Sequence, residues 1–439
     1  MSDALDTFTA EACAKQAALC LACGTCLQTC PVYAGEPREI LTARGRNNRI
    51  HELLRLKADP EGLKDIGKCL LCGRCTMVCP RGIRNDLIVS MLRQAQVDRN
   101  GLPTGKKIAF RKLLLNRKAM RRTLRAASRV QGLLPETADV QAGFSLQGNA
   151  PAPIRHLPAL LPRFARGRNV PSIASEFLSD ALPEETPAVN PSGKPVRVAY
   201  FSGCAAEFLL PDTGKAVVRL LSEAGMDVVF PKEQGCCGLA VHANGDHETA
   251  RRMALHNLDV LEKCRVDSVV TGCATCGSAM RDMWPRIGNT PEETARLAAM
   301  AIKVKDVSEI VLAACDFADF SCRSALPKGA TVTWHEPCHL ARLQHVSREP
   351  LTILQRTFGD DFRELSRQGC CGFGGSFNLY NYDLSREIGS EKAAALRESG
   401  AEYVITSCPG CLIQLADTMA RHKIPGRIVH LAEAVAFRK

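Results

Sequence analysis

Two cysteine runs near the N-terminus carry the most specific chemistry in the sequence: Cys20-x2-Cys23-x2-Cys26-x3-Cys30-Pro31 and Cys69-x2-Cys72-x2-Cys75-x3-Cys79-Pro80. Three cysteines at this spacing wrap one face of an iron-sulfur cubane. The fourth, placed before a proline that turns the chain away, reaches the neighbouring cluster. The pattern predicts one [4Fe-4S] cluster on Cys20, Cys23, Cys26 and Cys79, and a second on Cys69, Cys72, Cys75 and Cys30. A pair of zinc sites is the competing reading, because Cys-x2-Cys is common to both. Two identical runs, each closed by Cys-Pro, favour the clusters, and clusters held so close would form a path for electrons and not a reaction site.

A second pattern follows, and it occurs twice. Cys204 is followed after 31 residues by Cys236-Cys237-Gly238, then by Cys273-x2-Cys276; Cys338 is followed in the same way by Cys370-Cys371-Gly372 and Cys408-x2-Cys411. Each cysteine group falls after a predicted strand, so five thiolates per copy can converge at the carboxyl edge of a parallel sheet. Gly238 and Gly372 would allow a positive φ or a close approach of backbone to a bulky ligand. Five thiolates exceed the four of a structural zinc, and an iron-sulfur assembly with a shared thiolate uses them better. Cys13, Cys264, Cys315 and Cys322 lie outside every motif and read as small buried hydrophobes without a role. His335 and His339 flank Cys338, and His242 follows the first Cys-Cys-Gly; a histidine there can couple protons to electrons, although a strand-end histidine is more often a structural donor.

The elements that must position these cysteines can be read from the same rows. From Val196 to Met280 the order is strand, helix (Thr213 to Glu223), strand, Cys-Cys-Gly turn, helix (Asp246 to Lys263), strand and Cys-x2-Cys. Thr331 to Thr418 repeats that order, with the helix Leu384 to Ser399. Cys204 and Cys338, like Cys236 and Cys370, are offset by 134 residues, and Cys273 and Cys408 by 135. The expectation is an α/β protein: a small helical two-cluster domain of ferredoxin type, then two pseudo-symmetric α/β lobes on parallel sheets, related by duplication. The expected divisions are residues 1–98 for the ferredoxin-type domain, 99–195 for a basic helical and Pro-rich connector, 196–325 for the first lobe and 326–439 for the second. Within the first division, Ile50, Leu53, Leu54 and Lys57 in the stretch Ile40 to Ala58 fall at helical spacing. In the connector an amphipathic helix is expected with a break near Asn116, and nine of the 24 prolines between Ala150 and Val196 preclude long regular structure.

Composition narrows the class. The chain has 439 residues, 46% of them hydrophobic, and 22 cysteines, which suits a globular protein of about three domains and neither a disordered nor a fibrous one. No apolar run approaches the roughly 20 residues of a spanning helix. The N-terminus carries Asp3 and Asp6 where a secretory signal would be basic. An intracellular chain is expected, and in such a chain this many cysteines mean metal or redox chemistry more than a disulfide scaffold. Of the net charge of +11, all eleven units come from Lys and Arg between Arg99 and Pro135, where no Asp or Glu occurs. Phe110 is the sole aromatic in that stretch, so nucleic acid is the poorest of its readings; a connecting helix, an anionic lipid surface or an acidic partner subunit fit better. There is no Gly-x-Gly-x-x-Gly after a predicted strand, no Walker-type loop and no hydrolytic triad, so no flavin or nucleotide site and no catalytic residue are assigned to this chain.

The twin ferredoxin motifs followed by two Cys-Cys-Gly domains resemble the iron-sulfur subunit of glycolate oxidase and related lactate dehydrogenases, a family similar in turn to the catalytic subunit of heterodisulfide reductase. The strings GCAAEFLLPDTG, HEPCHLAR, CCGFGG and SCPGC carry the resemblance, which spans nearly the whole chain. It implies two [4Fe-4S] clusters and one or two further iron-sulfur clusters, of the non-cubane kind, at Cys204, Cys236, Cys237, Cys273 and Cys276 and at Cys338, Cys370, Cys371, Cys408 and Cys411. It also implies an electron-transfer subunit of a flavin-dependent 2-hydroxy-acid (lactate or glycolate) dehydrogenase. Such a subunit is inactive alone, receives electrons from an FAD-containing partner and delivers them to a quinone or another carrier. It would be cytoplasmic or peripheral on the inner face of the membrane. Two alternatives remain: a heterodisulfide-reductase-like subunit that reduces a disulfide at a Cys-Cys-Gly cluster, and the iron-sulfur subunit of anaerobic glycerol-3-phosphate dehydrogenase.

Overall fold

Both cysteine-rich halves of the chain are seated on one another through a helix that neither half could bury alone. The fold is that of a computed structural model, described over residues 9–50, 65–134, 154–157, 167–189, 195–317 and 322–437. In the N-terminal unit, short helices at Thr25–Thr29 and Arg74–Met77 begin after Gly24 and Gly73. Of the helical stretch expected over Ile40 to Ala58, a 3-10 turn at Glu39–Leu41 and a helix at Ala43–Asn48 are present, the latter capped by the Thr42 hydroxyl; residues 51–64 lie outside the described residues. The helix Asn85–Asn100 is buried on every side from Asn85 to Arg93, which requires neighbours all round.

Those neighbours are the N-terminal unit on one side and the first lobe on the other. Arg93, fully inside, donates to the carbonyls of Ile66 (3.1 Å), Cys69 (2.8 Å) and Ala243 (2.6 Å), so one guanidinium fastens the loop before the second ferredoxin motif to a loop of the lobe. Burial lowers its pKa to about 10, and it keeps its charge at neutral pH. Gly245 lies against this helix with φ +86°, where a Cβ would stand 2.3 Å from the Arg93 carbonyl oxygen; only glycine permits that approach. Arg84 bridges Asp86 (2.7 Å) and Asp282 of the lobe (2.8 Å).

The connector runs as a helix (Thr104–Ile108), a π-turn (Ala109–Leu114), a break capped by Asn116, and the helix Arg117–Val130. Four of its charges engage the first lobe and the segment before it: Arg111 pairs with buried Asp246 (2.9 Å), Arg117 with Glu207 (3.0 Å), and Arg121 and Arg125 with Asp180 over the Phe177 ring. Among the described residues, the Pro-rich part holds β1 (Ile154–His156), antiparallel to β2 (Asn169–Pro171), a one-turn helix at Leu178–Ala181 and the two-residue β3 (Glu185–Thr186). No helix among the described residues is long and apolar enough to cross a membrane.

The first lobe is a sheet of β3, β5 (Met226–Val229), β4 (Val196–Tyr200), β6 (Ser268–Thr271) and β7 (Val304–Asp306), in that order and parallel except for β3. After β8 (Cys322–Ser324) the second lobe orders β10 (Phe362–Arg363), β9 (Val332–Trp334), β11 (Tyr403–Thr406) and β12 (Arg427–His430), all parallel. The counterparts β4 and β9 sit at the same place in the two sheets, so the duplication is of topology as well as of motifs. Helices enclose both faces, and the strands read as apolar runs. Tyr200, Val270, Trp334 and Ile405 belong to one continuous core shared by the lobes. β8 precedes residue 326 yet pairs antiparallel with the last strand, β13 (Val435–Phe437), so the chain crosses between lobes beside its own C-terminal strand.

A pH dependence follows from the seam between the N-terminal unit and the first lobe. There Ser90 Oγ lies 3.2 Å from His242 Nδ1 and 3.1 Å from His247 Nε2, and the two imidazoles stack 3.9 Å apart. Burial pushes His242 well below the usual histidine range and His247 down to about 4. Both are neutral when folded, while the unfolded chain takes up their protons below about pH 6.5. Their contribution is therefore complete above that pH and is lost as pH falls toward 4, at up to about 1.4 kcal/mol per pH unit for each histidine. The buried carboxyls Asp306 and Glu433, raised to about 7 and about 8, act in the opposite sense and are common to wild type and variant. His247→Gln is expected to flatten the acid limb of unfolding free energy against pH, measured by denaturant titration; an unchanged slope would refute the account.

Candidate metal centres

The eight ferredoxin-motif cysteines lie in two neighbouring groups. Cys20, Cys23, Cys26 and Cys79 line one pocket, which Cys75 also borders, under Arg44 and Arg81. Cys30 caps the helix that starts at Pro31 and lies near Cys69 and Cys72; burial, then those thiols, push its own thiol up. Burial, with Cys72 and Cys69 beside it, drives Cys75 well above the usual thiol range. The two groups differ in access: Cys23 is exposed, held down by a hydrogen bond with Thr25 (3.5 Å), whereas Cys72 is buried next to the second lobe. Arg74 donates to the Gln368 carbonyl, just before Cys370, so the second motif is anchored to the second lobe.

In each lobe the five cysteines meet beyond the carboxyl ends of the strands. Cys204 and Cys338 lie in short helices after β4 and β9, and Cys273 and Cys408 cap helices after β6 and β11. These are adjacent strands from which the chain departs in opposite directions across the sheet, the place where α/β folds open a crevice. Gly238 and Gly372 have φ +90°, and at Gly372 a Cβ would stand 2.5 Å from the Ser385 carbonyl oxygen. The glycine is what lets each Cys-Cys pair turn inward over the following helix.

Between the lobes the two Cys-x2-Cys turns touch. The Ala274 amide donates to the Ser407 carbonyl (3.1 Å), and His430 Nε2 lies 2.7 Å from the Gly272 carbonyl. The thiols therefore form a single succession: Cys204, Cys236, Cys237, Cys276 and Cys273 of the first lobe, then Cys408, Cys411, Cys371 and Cys370 of the second, each interacting with the next. Cys338 lies near Cys371 and also near Cys72 of the ferredoxin motif.

Charge is the difficulty in such a row. Hydrogen bonds with Cys236 and Cys276 hold Cys237 well below the usual thiol range; those with Cys370 and Cys411 do so for Cys371, and those with Cys273 and Cys411 for Cys408. Cys204, Cys276, Cys370 and Cys411 are pushed well up, first by the neighbouring thiols and then by burial. Only some of the sulfurs can ionise while no cation is among them, and buried charge of one sign is strongly unfavourable. Ten sulfur donors of this kind fit a thiolate-binding, iron-rich group.

The lobes are unequal. His335, buried on the second lobe, puts a ring nitrogen within 4.8 Å of the Cys371 and Cys411 sulfurs, and Phe201 holds its place in the first. Lys392, 1% exposed, reaches the Arg367 carbonyl (3.3 Å) behind Cys371 and Cys370; burial lowers it to about 8. Leu258 stands as far after Gly238 as Lys392 does after Gly372. His339 Nδ1 lies 3.3 Å from Thr275 Oγ1, which is 3.5 Å from Cys408 Sγ. His242 is taken up instead by Ser90 and His247. Sequence reading missed Lys392 and Arg93 because a helix of mixed charge gives no sign of which cation turns inward.

Comparison with known proteins agrees with this arrangement. Residues 16–83 match the family described as 4Fe-4S dicluster domain, and residues 198–281 and 332–416 match the family described as Cysteine-rich domain. Over 424 residues the chain is 29% identical to the probable glycolate oxidase iron-sulfur subunit of Bacillus subtilis (strain 168), covering 94% of this chain and 92% of that one. The chain is a homologue of the glycolate oxidase iron-sulfur subunit. Homology extends to lactate utilization protein A of Exiguobacterium sp. (strain ATCC BAA-1283 / AT1b), 29% identical over 54% of this chain and 96% of that protein. It extends also to one of the subunits of fumarate reductase (CoM/CoB) from Methanothermobacter marburgensis, 32% identical over 58% of this chain and 47% of that one. The chain described here thus has both the dicluster unit and a pair of cysteine-rich domains.

Metal content tests the two ferredoxin groups directly. Anaerobically isolated protein is expected to contain at least eight irons per chain, about four for each ferredoxin group. Cys30→Ala should perturb the centre of the second motif more than that of its own. Stoichiometric zinc in place of iron, or loss confined to the first centre, would overturn the grouping.

Proposed function

We propose that this chain is the iron-sulfur electron-transfer subunit of a flavin-dependent 2-hydroxy-acid dehydrogenase, acting on lactate or glycolate. In this reading an FAD-containing partner oxidises the substrate, and a quinone or another carrier takes the electrons. The observation that carries the proposal is the succession of cysteines from exposed Cys23, whose pocket Cys75 borders, through the second ferredoxin group and Cys338 to the row that ends at Cys204. Cys20, Cys23, Cys26 and Cys79 would hold one [4Fe-4S] cluster, Cys69, Cys72, Cys75 and Cys30 a second, and the two five-cysteine sets one or two more. Iron-sulfur clusters, when bound, accept and release electrons singly, which suits a flavin that has taken a hydride.

What the chain itself supplies is position and environment. Arg93, Arg84 and Arg74 fix the dicluster unit against both lobes, and buried cysteines keep water from the ligands between the lobes. Beside Cys236 opens a cleft of about 1470 Å³, its mouth included, lined by Lys112, Lys118, Lys232 and Arg252. Lys112, Lys118 and Arg252 are exposed and form no ion pair among the described residues. This favours an acidic partner surface at that end of the succession. The disulfide-reducing alternative draws support from the likeness to a fumarate reductase (CoM/CoB) protein.

Two outcomes check the reading. The purified chain is expected to reduce no dye with lactate or glycolate, and activity should appear when the flavoprotein is added; turnover by the flavin-free chain alone would refute the division of labour. Reduced chain that turns over low-molecular-weight disulfides as fast as a quinone analogue would favour the alternative. Lys392→Leu, which gives the second lobe the residue type of the first, removes a cation behind the ligands and should lower the midpoint potential of the second-lobe centre alone, followed by spectroscopic redox titration. An equal shift at both lobes, or none, would count against the asymmetry.

A further inference from the structure

Cys315 and Cys322 belong to no motif. Nothing in the linear pattern connects them. The fold nevertheless places their Sγ atoms 2.6 Å apart, closer than unbonded sulfurs need stand and within a small side-chain adjustment of a covalent pair. Cys315 is in the last turn of the helix Val307–Phe317, and Cys322 opens β8, opposite Phe437 of β13. Both are half-buried against the core shared by the two lobes. The other two cysteines outside the motifs have no such partner: Cys13 is sealed in the N-terminal core, and Cys264 donates to the Val260 carbonyl (3.3 Å).

We propose that Cys315 and Cys322 form a redox-active dithiol that closes to a disulfide by exchange with a low-molecular-weight disulfide of the glutathione type. One protein thiolate attacks a sulfur of the small disulfide, a mixed disulfide forms and one small thiolate leaves. The second protein thiolate then attacks the protein sulfur of that mixed disulfide and expels the other small thiolate. Two protein thiols are oxidised, one small disulfide is reduced to two thiols, and the two protons pass to the departing thiolates or to water. The reaction reverses when the surrounding thiol pool is reducing, as expected of a disulfide in an intracellular setting. Its place gives it an effect: the bond ties the end of the last helix of the first lobe to the β8–β13 pair, and so fixes the crossover between lobes without using any of the motif cysteines. The neighbouring Cys315 thiol and burial push Cys322 upward. Because the thiolate is the attacking form, closure accelerates as pH rises.

Metal occupancy does not enter this exchange, and the test uses the full chain, isolated anaerobically with its iron measured. The protein is exposed to oxidised glutathione, quenched in acid, alkylated under denaturing conditions, digested and mapped by mass spectrometry. The expected result is recovery of the Cys315 and Cys322 peptides joined and lighter by two hydrogens, faster at about pH 8.5 than at about pH 7, reversed by dithiothreitol, with iron content unchanged. In Cys322→Ser, Cys315 should stop at the mixed disulfide with glutathione. Alkylation of both residues as free thiols after the same exposure would overturn the proposal. So would separate glutathione adducts on each in the wild type, or linkage of either one to a motif cysteine.

Discussion

The structure depends above all on a problem of charge: sulfur ligands gathered where water is absent. Ten thiols of the two lobes lie in one row, eight of them buried, and their neighbours hold Cys237, Cys371 and Cys408 below the usual thiol range. Side chains of one kind cannot neutralise one another in a low dielectric. A row of this sort is stable as an ordered element when cations share it, and the parallel-sheet architecture places all of its members at one edge, where such a group can be held. The glycines after each Cys-Cys pair and the helix caps at Cys273 and Cys408 follow from that demand.

The N-terminal unit meets the same demand from the other side. It is not tethered loosely to the lobes. Arg93 binds carbonyls of both bodies, Arg84 spans Asp86 and Asp282, and Arg74 reaches the residue two places before Cys370. Each is an arginine whose planar donor fork satisfies several acceptors at once, which suits a seam that must hold ligands at fixed separation. Cys72 and Cys338 are brought near each other as a result, and the dicluster unit and the second lobe become parts of one path. The basic connector then closes the far side over the first lobe, with Arg111, Arg117, Arg121 and Arg125 paired and several lysines left facing solvent.

Duplication supplied two lobes of one topology, and later divergence made them different in polarity. Phe201 and Leu258 of the first lobe stand where His335 and Lys392 stand in the second. The difference lies around the ligands and not among them, and it is there that charge and hydrogen bonding act on a metal centre. The cysteine pattern alone presents the lobes as equals.

What the sequence determined by itself is whatever depends on local spacing. Cys-x2-Cys-x2-Cys-x3-Cys-Pro, the Cys-Cys-Gly turns, the strand and helix order of both lobes and the break at Asn116 are each written within a few residues, because turn geometry and strand length leave few ways to arrange them. Tertiary structure alone decided what depends on residues far apart in the chain. Only the fold could bring Cys273 against Cys408 or turn Arg93 and Lys392 inward, and only the fold could set Cys315 beside Cys322. The reason is physical: the partners of a buried charge or thiol are fixed by how whole elements pack, and the one-dimensional pattern around each of these residues is the same whether it faces solvent or core.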